Sequence, residues 1–296
     1  MTLEQLRIFV AVAERLHMTR AAAALHITQS AASAAVAALE ARYGARLFDR
    51  VGRGLVLSET GRMFLPEAKA VLGRAETARR TLDDLAGLRK GIVTLFASQT
   101  LASYWLPPRM ARFAQAYPRI ELRLSIGNTA QVARAVTEGE AELGFIEGPV
   151  DDPALAHARV GSDRLALVAA SAHPLAMAEA ITAVELASVS WALREPGSGT
   201  RSAFEAALAE KGVDPKRLKI ALELPSNEAV RLAVREGAGV SALSELVAEA
   251  GLRFGALAPV KFPLPERAFH ALRHKERYLS KSGLAFMQLV KSARPG

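Results

Sequence analysis

The sequence predicts an α/β protein with a helix-rich N-terminal part and a larger part in which strands and helices alternate. Three observations predict this: two short alanine-rich helices, a long helix with heptad spacing after residue 58, and strand–helix alternation from residue 92 onward. With 296 residues, the chain is long enough for two or three domains with separate cores. We therefore expect domains at 1–58, 59–90 and 91–296.

The first domain is predicted to begin with three helices. Thr2 can cap the first helix and Thr19 the second, because their hydroxyls can accept bonds from free backbone N–H groups. Thr28 can cap the third helix, which should run from about 29 to 43 and end at Gly44 in a left-handed C-cap. The first helix should bury a stripe formed by Leu3, Leu6, Phe9 or Val10, and Ala13.

The third helix has an apolar face and a polar N-terminal end. The apolar residues, spaced i, i+4 and i+7, are Ala32, Val36 and Leu39. The polar residues on the other face are Gln29, Ser30 and Ser33. A short helix with polar groups at its start suits insertion into the major groove of DNA.

A small basic hairpin is predicted after this helix. Residues 50–54 have the composition of a turn between two short strands, with 55–57 as the second strand. Arg50 and Arg53 on this turn could lie against phosphates or reach into the minor groove.

The span from Leu3 to Leu72 resembles the winged helix-turn-helix of LysR-type transcriptional regulators. The residues that carry the resemblance are Leu6, Phe9, Ala21, Ala22, Leu25, Thr28, Gln29, Ser30, Ser33, Leu39, Glu40, Gly44, Leu47, Phe48, Arg50, Leu57, Ser58, Thr60 and Gly61. The resemblance implies that double-stranded DNA is contacted by Thr28, Gln29, Ser30, Ser33, Arg50 and Arg53. Ala34 and Ala37 depart from the family, in which many members carry longer polar side chains at these positions.

Net charge, cysteine content and hydropathy exclude several classes of function for this chain. The net charge is +8, of which residues 1–90 carry +5 (14 Lys+Arg against 9 Asp+Glu), as expected of a domain that binds nucleic acid. The chain has no cysteine, which excludes disulfides, thiolate nucleophiles and Cys-ligated metals. We find neither a signal peptide nor an apolar run of membrane-spanning length, so we expect a cytoplasmic protein without membrane contact.

The helix predicted from about 59 to 88 carries two rows of small and apolar residues. One row is Phe64, Val71, Ala78 and Leu85, and the other is Ala68, Ala75 and Leu82. Such rows fit either packing on the helix's own domain or pairing with a second copy. The family resemblance implies a linker helix in a homodimer or homotetramer. Pro66 could kink the helix, and 87–91 is a basic hinge.

The larger part is predicted to be an open parallel sheet with flanking helices. We expect strands at about 92–97, 120–126, 142–146, 165–169, 189–193, 219–224, 239–243 and 268–272. Helices are expected at about 101–117, 130–138, 200–211, 228–236 and 282–292. This order resembles the two-lobed type 2 periplasmic-binding-protein fold of LysR-type effector domains. Lobe I would comprise 91–161 and 267–296, and lobe II 162–266.

Turns at the ends of the predicted strands are rich in hydroxyl, amide and glycine residues. In open α/β sheets ligands bind where strands end and helices begin, and helix N-termini favour anions. The predicted effector-binding residues are Ser98, Gln99, Thr100, Asn128, Thr129, Glu147, Gly197, Ser198, Gly199, Thr200, Arg201, Ser226 and Asn227. The alternative is that the hydroxyl and amide residues are simply helix caps. Glu147 could repel an anion, orient a cation or be a solvated loop residue.

No other group of residues in the sequence predicts a nucleotide-binding, metal-binding or catalytic site. The run from Gly197 to Gly199 lacks the Gly-Lys-Ser/Thr of a nucleotide phosphate loop, and it does not match the dinucleotide fingerprint. His270 and His274 have the i, i+4 spacing of helical metal ligands but fall on a predicted strand, so we expect no zinc. No catalytic arrangement is recognisable. We therefore expect no cofactor, no metal and no enzymatic activity.

The resemblance implies a LysR-type regulator that binds an inverted-repeat promoter site, responds to a small anionic effector and contacts RNA polymerase. Residues 28–33 and 194–201 look most like members that control sulfur or carbon assimilation. One alternative is an enzyme or carrier on the same two-lobed fold without specific DNA binding. Another is a nucleoid-type DNA binder with an empty sensor domain.

Overall fold

The computed structural model describes residues 1–52, 54–85, 91–179 and 181–292. The chain forms two compact units, one of Met1–Gly87 with Thr137–Glu140, the other of Leu88–Val136 with Ala141–Gly296. Within the predicted hinge, residues 87–90 lie outside the described part, as do residues 293–296 of the predicted lobe I. The domain and lobe boundaries stay predictions.

The first unit is built from helices and one hairpin. Its elements are α1 (Leu3–Arg15), α2 (Met18–Ala24), α3 (Gln29–Tyr43), β1 (Phe48–Val51), β2 (Gly54–Leu57) and α4 (Glu59–Leu85). Thr2 caps α1 as predicted, in a capping box completed by Gln5. Thr28 caps α3, and Gly44 ends it with a φ of 62°.

Two local predictions for the first unit were wrong. The cap of α2 is His17, whose ring nitrogen Nδ1 accepts from the Arg20 N–H at 3.3 Å, so Thr19 already lies inside the helix. The helix starts this early because Leu16, with a φ of 47°, turns the chain sharply after α1. Leu3 is 47% exposed and is not part of the buried stripe, whereas Leu6 and Phe9 are fully buried.

Helix α4 contributes to the core of the first unit with its N-terminal half. Phe64 lies with its ring centroid 5.1 Å from that of Phe9, and Ala68 is completely buried in the same cluster. Val71 and Leu82, from the two predicted rows, are 41% and 68% exposed. The first part of the heptad pattern therefore packs on its own domain, and the later part presents apolar side chains to solvent.

The second unit contains a mixed sheet and the helices around it. Its strands are β3 (Gly91–Ser98), β4 (Ile120–Gly127), β5 (Leu143–Glu147), β6 (Leu155–Ala169), β7 (Ser190–Arg194), β8 (Lys219–Leu224), β9 (Ser241–Ser244), β10 (Ala258–Val260) and β11 (Glu266–His274). Its helices are α5 (Leu106–Ala116), α6 (Thr129–Glu138), α7 (Pro174–Met177), α8 (Ala183–Ser188), α9 (Gly199–Glu210), α10 (Asn227–Arg235), α11 (Glu245–Arg253) and α12 (Lys281–Ser292). A π-helical turn, Leu101–Trp105, precedes α5, and a 3₁₀ turn, Pro215–Arg217, precedes β8.

Two lobes share strand β6. In lobe I, β3 pairs in parallel with β4 and β5, and β11 then pairs antiparallel with β5 and with the first part of β6. In lobe II, the last part of β6 pairs antiparallel with β9 and β10, and β7 pairs in parallel with β8. The expectation of an open parallel sheet was wrong, because β6 and β11 join the sheet as antiparallel strands. Each follows the strand before it in the chain without the crossover helix that a parallel connection requires.

Each lobe has apolar clusters of its own. Lobe I buries Leu95, Phe145 and Phe286, and lobe II buries Trp191 and Phe204 on one sheet face. Where β6 passes from one lobe to the other, Gly161 lies against the indole of Trp105, and a Cβ at position 161 would be 3.1 Å from that ring. The absence of a side chain thus lets Trp105 pack on the strand that joins the lobes.

Candidate functional site

Helices α2 and α3 place the predicted DNA-reading residues. The two helices meet at a bend of 108°. Ala32, Val36 and Leu39 are buried as predicted, so the opposite face of α3 points to solvent. Steep crossing of the helices is possible because Ala21 and Ala22 of α2 are small and buried.

The polar start of α3 is accessible. Gln29 and Ser30 are exposed, while Ser33 is half-buried. Thr28 accepts from the Ala31 N–H at 3.2 Å, and its hydroxyl lies 3.0 Å from that of Ser30. Between the first and last turns of α3, the exposed residues are all alanines: Ala34, Ala37, Ala38 and Ala41. Before its last turn, which carries Arg42, the helix therefore offers polar side chains to a partner mainly in its first turn.

The hairpin after α3 carries one described arginine at its tip. Arg50 is exposed on β1 and is paired in register with Leu55 of β2. Gly52, with a φ of 60°, supplies the left-handed residue that the tight turn needs. Arg53 lies outside the described residues.

The second candidate site is the cleft between the two lobes, and its centre is Glu147. This residue ends β5 and is 1% exposed, so the expectation of a possible solvated loop residue was wrong. Its carboxylate accepts from the hydroxyls of Ser98 and, at 3.4 Å, Thr200. The Thr129 hydroxyl donates to its backbone carbonyl at 2.7 Å. Glu147 thereby connects predicted turns from both lobes.

An arginine that the sequence did not predict balances this charge. Arg267 of β11 lies with Nη1 3.7 Å from a Glu147 oxygen and 3.0 Å from the Thr200 hydroxyl. Its Nε and Nη2 bind both oxygens of Asp163 at 2.5 and 2.9 Å. Asp163 also accepts from Ser244 at 2.5 Å. This buried network joins lobe I, lobe II and the shared strand.

The lobes approach each other closely beside Glu147. Gly199 opens α9, and a Cβ at this position would lie 1.8 Å from the Glu147 carbonyl oxygen. The Ala130 N–H donates to the Gly197 carbonyl at 3.3 Å across the cleft. Asn128 donates to Glu195 at 3.2 Å. Burial would raise the pKa of Glu195, but the hydrogen bonds from Arg194 outweigh it and hold this pKa below its ordinary value.

Some predicted effector residues have a different role in this structure. Ser198 caps α9, and Ser226 caps α10 by accepting from the Ala229 N–H at 3.0 Å. Arg201 binds Glu205 and Glu223 of its own lobe, at 2.8 and 2.7 Å. At the other end of the cleft, Asn227 donates hydrogen bonds to both Gln99 and Thr100. The turns therefore converge, but many of their side chains already have protein partners.

The sequence analysis expected no zinc at His270 and His274, although their spacing resembles that of helical metal ligands. His270 stacks edge-on against His157, with ring centroids 6.1 Å apart. No group of three or more metal-ligating side chains occurs within the part of the chain that the structure describes. Among the same residues, no single helix is long and apolar enough to cross a membrane, and the α2–α3 pair meets that test jointly, by length and composition alone.

Comparison with known families covers nearly the whole chain. Residues 3–62 match the family described as bacterial regulatory helix-turn-helix protein, lysR family. Residues 86–295 match the family described as LysR substrate binding domain. The chain belongs to the LysR family of transcriptional regulators. This family membership also shows that the protein is not an enzyme, as the sequence predicted.

Similar proteins agree with the LysR assignment. The chain is 37% identical over 288 residues to the uncharacterized HTH-type transcriptional regulator YeiE of Escherichia coli K12, covering 97% of this chain and 96% of that protein. It is 34% identical over 294 residues to a probable RuBisCO transcriptional regulator of Synechocystis, covering 98% of this chain and 85% of the relative. Both cover the DNA-binding and effector parts together.

Solved structures show the same fold. The LysR-family regulator CbnR superposes with a TM-score of 0.69 at 22% identity, over 98% of each chain. The regulatory domain of Synechocystis CcmR, in complex with 2-PG, has a TM-score of 0.62 at 26% identity and covers 69% of this chain and 97% of that domain. The winged helix-turn-helix and the two-lobed effector domain predicted from the sequence are thus confirmed.

Proposed function

We propose that this LysR-family regulator binds an inverted-repeat promoter site as a homodimer or homotetramer and responds to a small anion in the interlobe cleft. The observation that supports effector binding most directly is the convergence of the starts of α6 and α9 on the buried Glu147–Arg267 pair. Helix N-termini favour negative charge. A cytoplasmic location and contact with RNA polymerase belong to the same proposal.

The proposed DNA contacts are Thr28, Gln29, Ser30 and Ser33 at the start of α3, with Arg50 and Arg53 on the hairpin. Exposure of Gln29 and Ser30 supports base or phosphate contact, since both side chains are accessible from solvent at the start of the helix. Exposure of Val71 and Leu82 on α4 supports pairing with a second copy, because each belongs to one of the two apolar rows of the heptad pattern, and exposed rows of this kind favour helix association. Two-fold symmetry of the protein would then match two half-sites.

The cleft favours an anion that also carries a hydrogen-bond donor. A carboxylate offers about four acceptor positions. Ser98 and Thr200 donate hydrogen bonds to the Glu147 carboxylate and Arg267 lies 3.7 Å from it, which leaves an acceptor position for a ligand. A hydroxyl on the ligand can donate to this carboxylate while its negative group faces the helix starts. The CcmR domain bound to 2-PG and the probable RuBisCO regulators support a role in carbon assimilation, and sulfur assimilation is the alternative.

Replacing Arg50 by alanine should weaken binding to every duplex sequence and flatten the salt dependence. Loss of one phosphate contact lowers the slope of log K against log salt by about one. Fluorescence anisotropy with labelled promoter DNA at several salt concentrations measures this slope. Arg112→Ala, an exposed change on α5, is the control. A slope equal to that of the parent protein would remove Arg50 from the interface.

The ligand proposal predicts a preference for glycolate over acetate, which differ by one hydroxyl. A hydrogen bond to a charged group is worth roughly a tenfold difference in dissociation constant. Thermal shift titrations of the full chain measure both constants, and 2-PG extends the series. In Glu147→Gln the preference should fall below about threefold, whereas Glu266→Gln, at an exposed carboxylate, should retain it. Equal binding of both acids to the parent protein would contradict the donor requirement.

A further inference from the structure

The turn between β3 and α5 is π-helical rather than α-helical. In this turn, Leu101–Trp105, the Leu106 N–H donates to the Leu101 carbonyl five residues earlier. Single π-helical turns are rare and occur frequently at functional sites. This one directly follows Ser98, Gln99 and Thr100 at the end of β3. Its geometry determines where the side chains of Tyr104 and Trp105 point.

Tyr104 reaches from lobe I into lobe II. Its ring packs against the lobe II cluster that contains Val230 and Leu243. Its hydroxyl donates to Glu228, at the start of α10, at 3.1 Å. Burial and the nearby Glu228 carboxylate raise the pKa of Tyr104, so its hydroxyl keeps the proton that it donates. One side chain thus makes both an apolar and a polar contact across the cleft.

The residues at the end of β3 add further contacts to the same region of lobe II. The Asn227 N–H donates to the Gln99 side-chain carbonyl at 2.6 Å, and the Asn227 side-chain amide donates to the Thr100 hydroxyl at 3.1 Å. Gln99 donates to Glu228 at 3.1 Å. Asn227 is 1% exposed, so breaking these bonds without water entry would leave buried polar groups unpaired.

We propose that Tyr104, Gln99 and Thr100 of lobe I, with Asn227 and Glu228 of lobe II, form an interlobe clamp that holds the two lobes together across the cleft. The π-helical turn is the joint of this clamp, because it links the end of β3 to Tyr104. The inference goes beyond the proposed function, since the clamp acts before any effector is bound. An effector that enters the cleft must open the clamp, and the closed population therefore sets its apparent affinity.

Hydrogen exchange tests the clamp in the full-length protein without ligand. The Asn227 N–H is bonded across the cleft, so its exchange rate reports opening. Tyr104→Phe removes the hydroxyl that binds Glu228 and should increase exchange at Asn227 roughly tenfold, as expected for loss of one bond to a charged group. Ala130, bonded across the cleft at its other end, should also exchange faster. Leu95, inside the sheet of lobe I, should not change.

Two further variants separate a clamp from general stability. Tyr117→Phe makes the same chemical change at the end of α5, where the ring packs on Phe113, and should leave exchange at Asn227 unchanged. Glu228→Gln keeps an acceptor but loses the charge, so about a threefold increase is expected. Unchanged exchange at Asn227 in folded Tyr104→Phe would overturn the clamp. An equal increase at Leu95 would also overturn it, because it would show loss of global stability.

Discussion

Replacing Arg267 by methionine is expected to destabilise the effector domain by about 3–5 kcal/mol. The change leaves Asp163 and Glu147 as buried carboxylates without their shared cation, and removing one partner of a buried ion pair typically costs this much. The side chains of the pair with Asp163 are only 6% and 5% exposed, so water cannot compensate. Urea unfolding of the full chain, followed by the circular dichroism of the effector-domain transition, measures the loss.

The matched control is Arg159→Met on the neighbouring strand. Arg159 binds Glu266 at 3.2 Å, but the two side chains are 65% and 48% exposed. Exposed pairs contribute about 0–1 kcal/mol, so the midpoint should hardly move. If the two variants lost similar stability, the Asp163–Arg267–Glu147 network would not be holding the lobes.

Replacing Gly199 by alanine should prevent full closure of the cleft. The added Cβ would lie 1.8 Å from the Glu147 carbonyl oxygen and 2.5 Å from the Thr129 hydroxyl, so the backbone must move apart. Overpacking of this kind costs about 1–3 kcal/mol, which reduces the ratio of closed to open protein roughly 5- to 150-fold. Gly199 is the first residue of α9, and alanine favours helix formation, so lobe II alone should fold normally.

The measurement is hydrogen exchange at Ala130, whose N–H binds Gly197 across the cleft. Exchange there should be strongly accelerated in Gly199→Ala, because the added Cβ forces the two backbones apart at this point. Ser202→Ala, a small change one turn further along α9, is the control. Normal exchange at Ala130 in folded Gly199→Ala would show that the close approach at position 199 does not govern closure.

The sequence predicted the features that depend on local chemistry. Thr28 and Gly44 mark the ends of α3 because a hydroxyl cap and a left-handed glycine act within a few residues. The turns at Ser98, Asn128 and Thr200 could be assigned to one cleft because strand ends of an α/β sheet converge. These predictions needed no knowledge of long-range pairing.

The sequence could not predict features that depend on long-range pairing. Asp163 and Arg267 are 104 positions apart on regular strands, and only the antiparallel register of β6 with β11 brings them together. The first part of β6 was missed because its residues are partly exposed and lack an apolar run. Tyr104 fits an ordinary helical pattern, so nothing in the local sequence indicates its contact with Glu228.

The packing of Trp105 on Gly161 has a practical consequence. The chain has two tryptophans, and the other, Trp191, is completely buried in lobe II. Once Trp191 is replaced by phenylalanine, Trp105 is therefore the single tryptophan fluorophore, next to the strand that joins the lobes. Its fluorescence emission would report the relative motion of the two lobes in real time. The protein would need no label, and the measurement could be made with or without bound DNA.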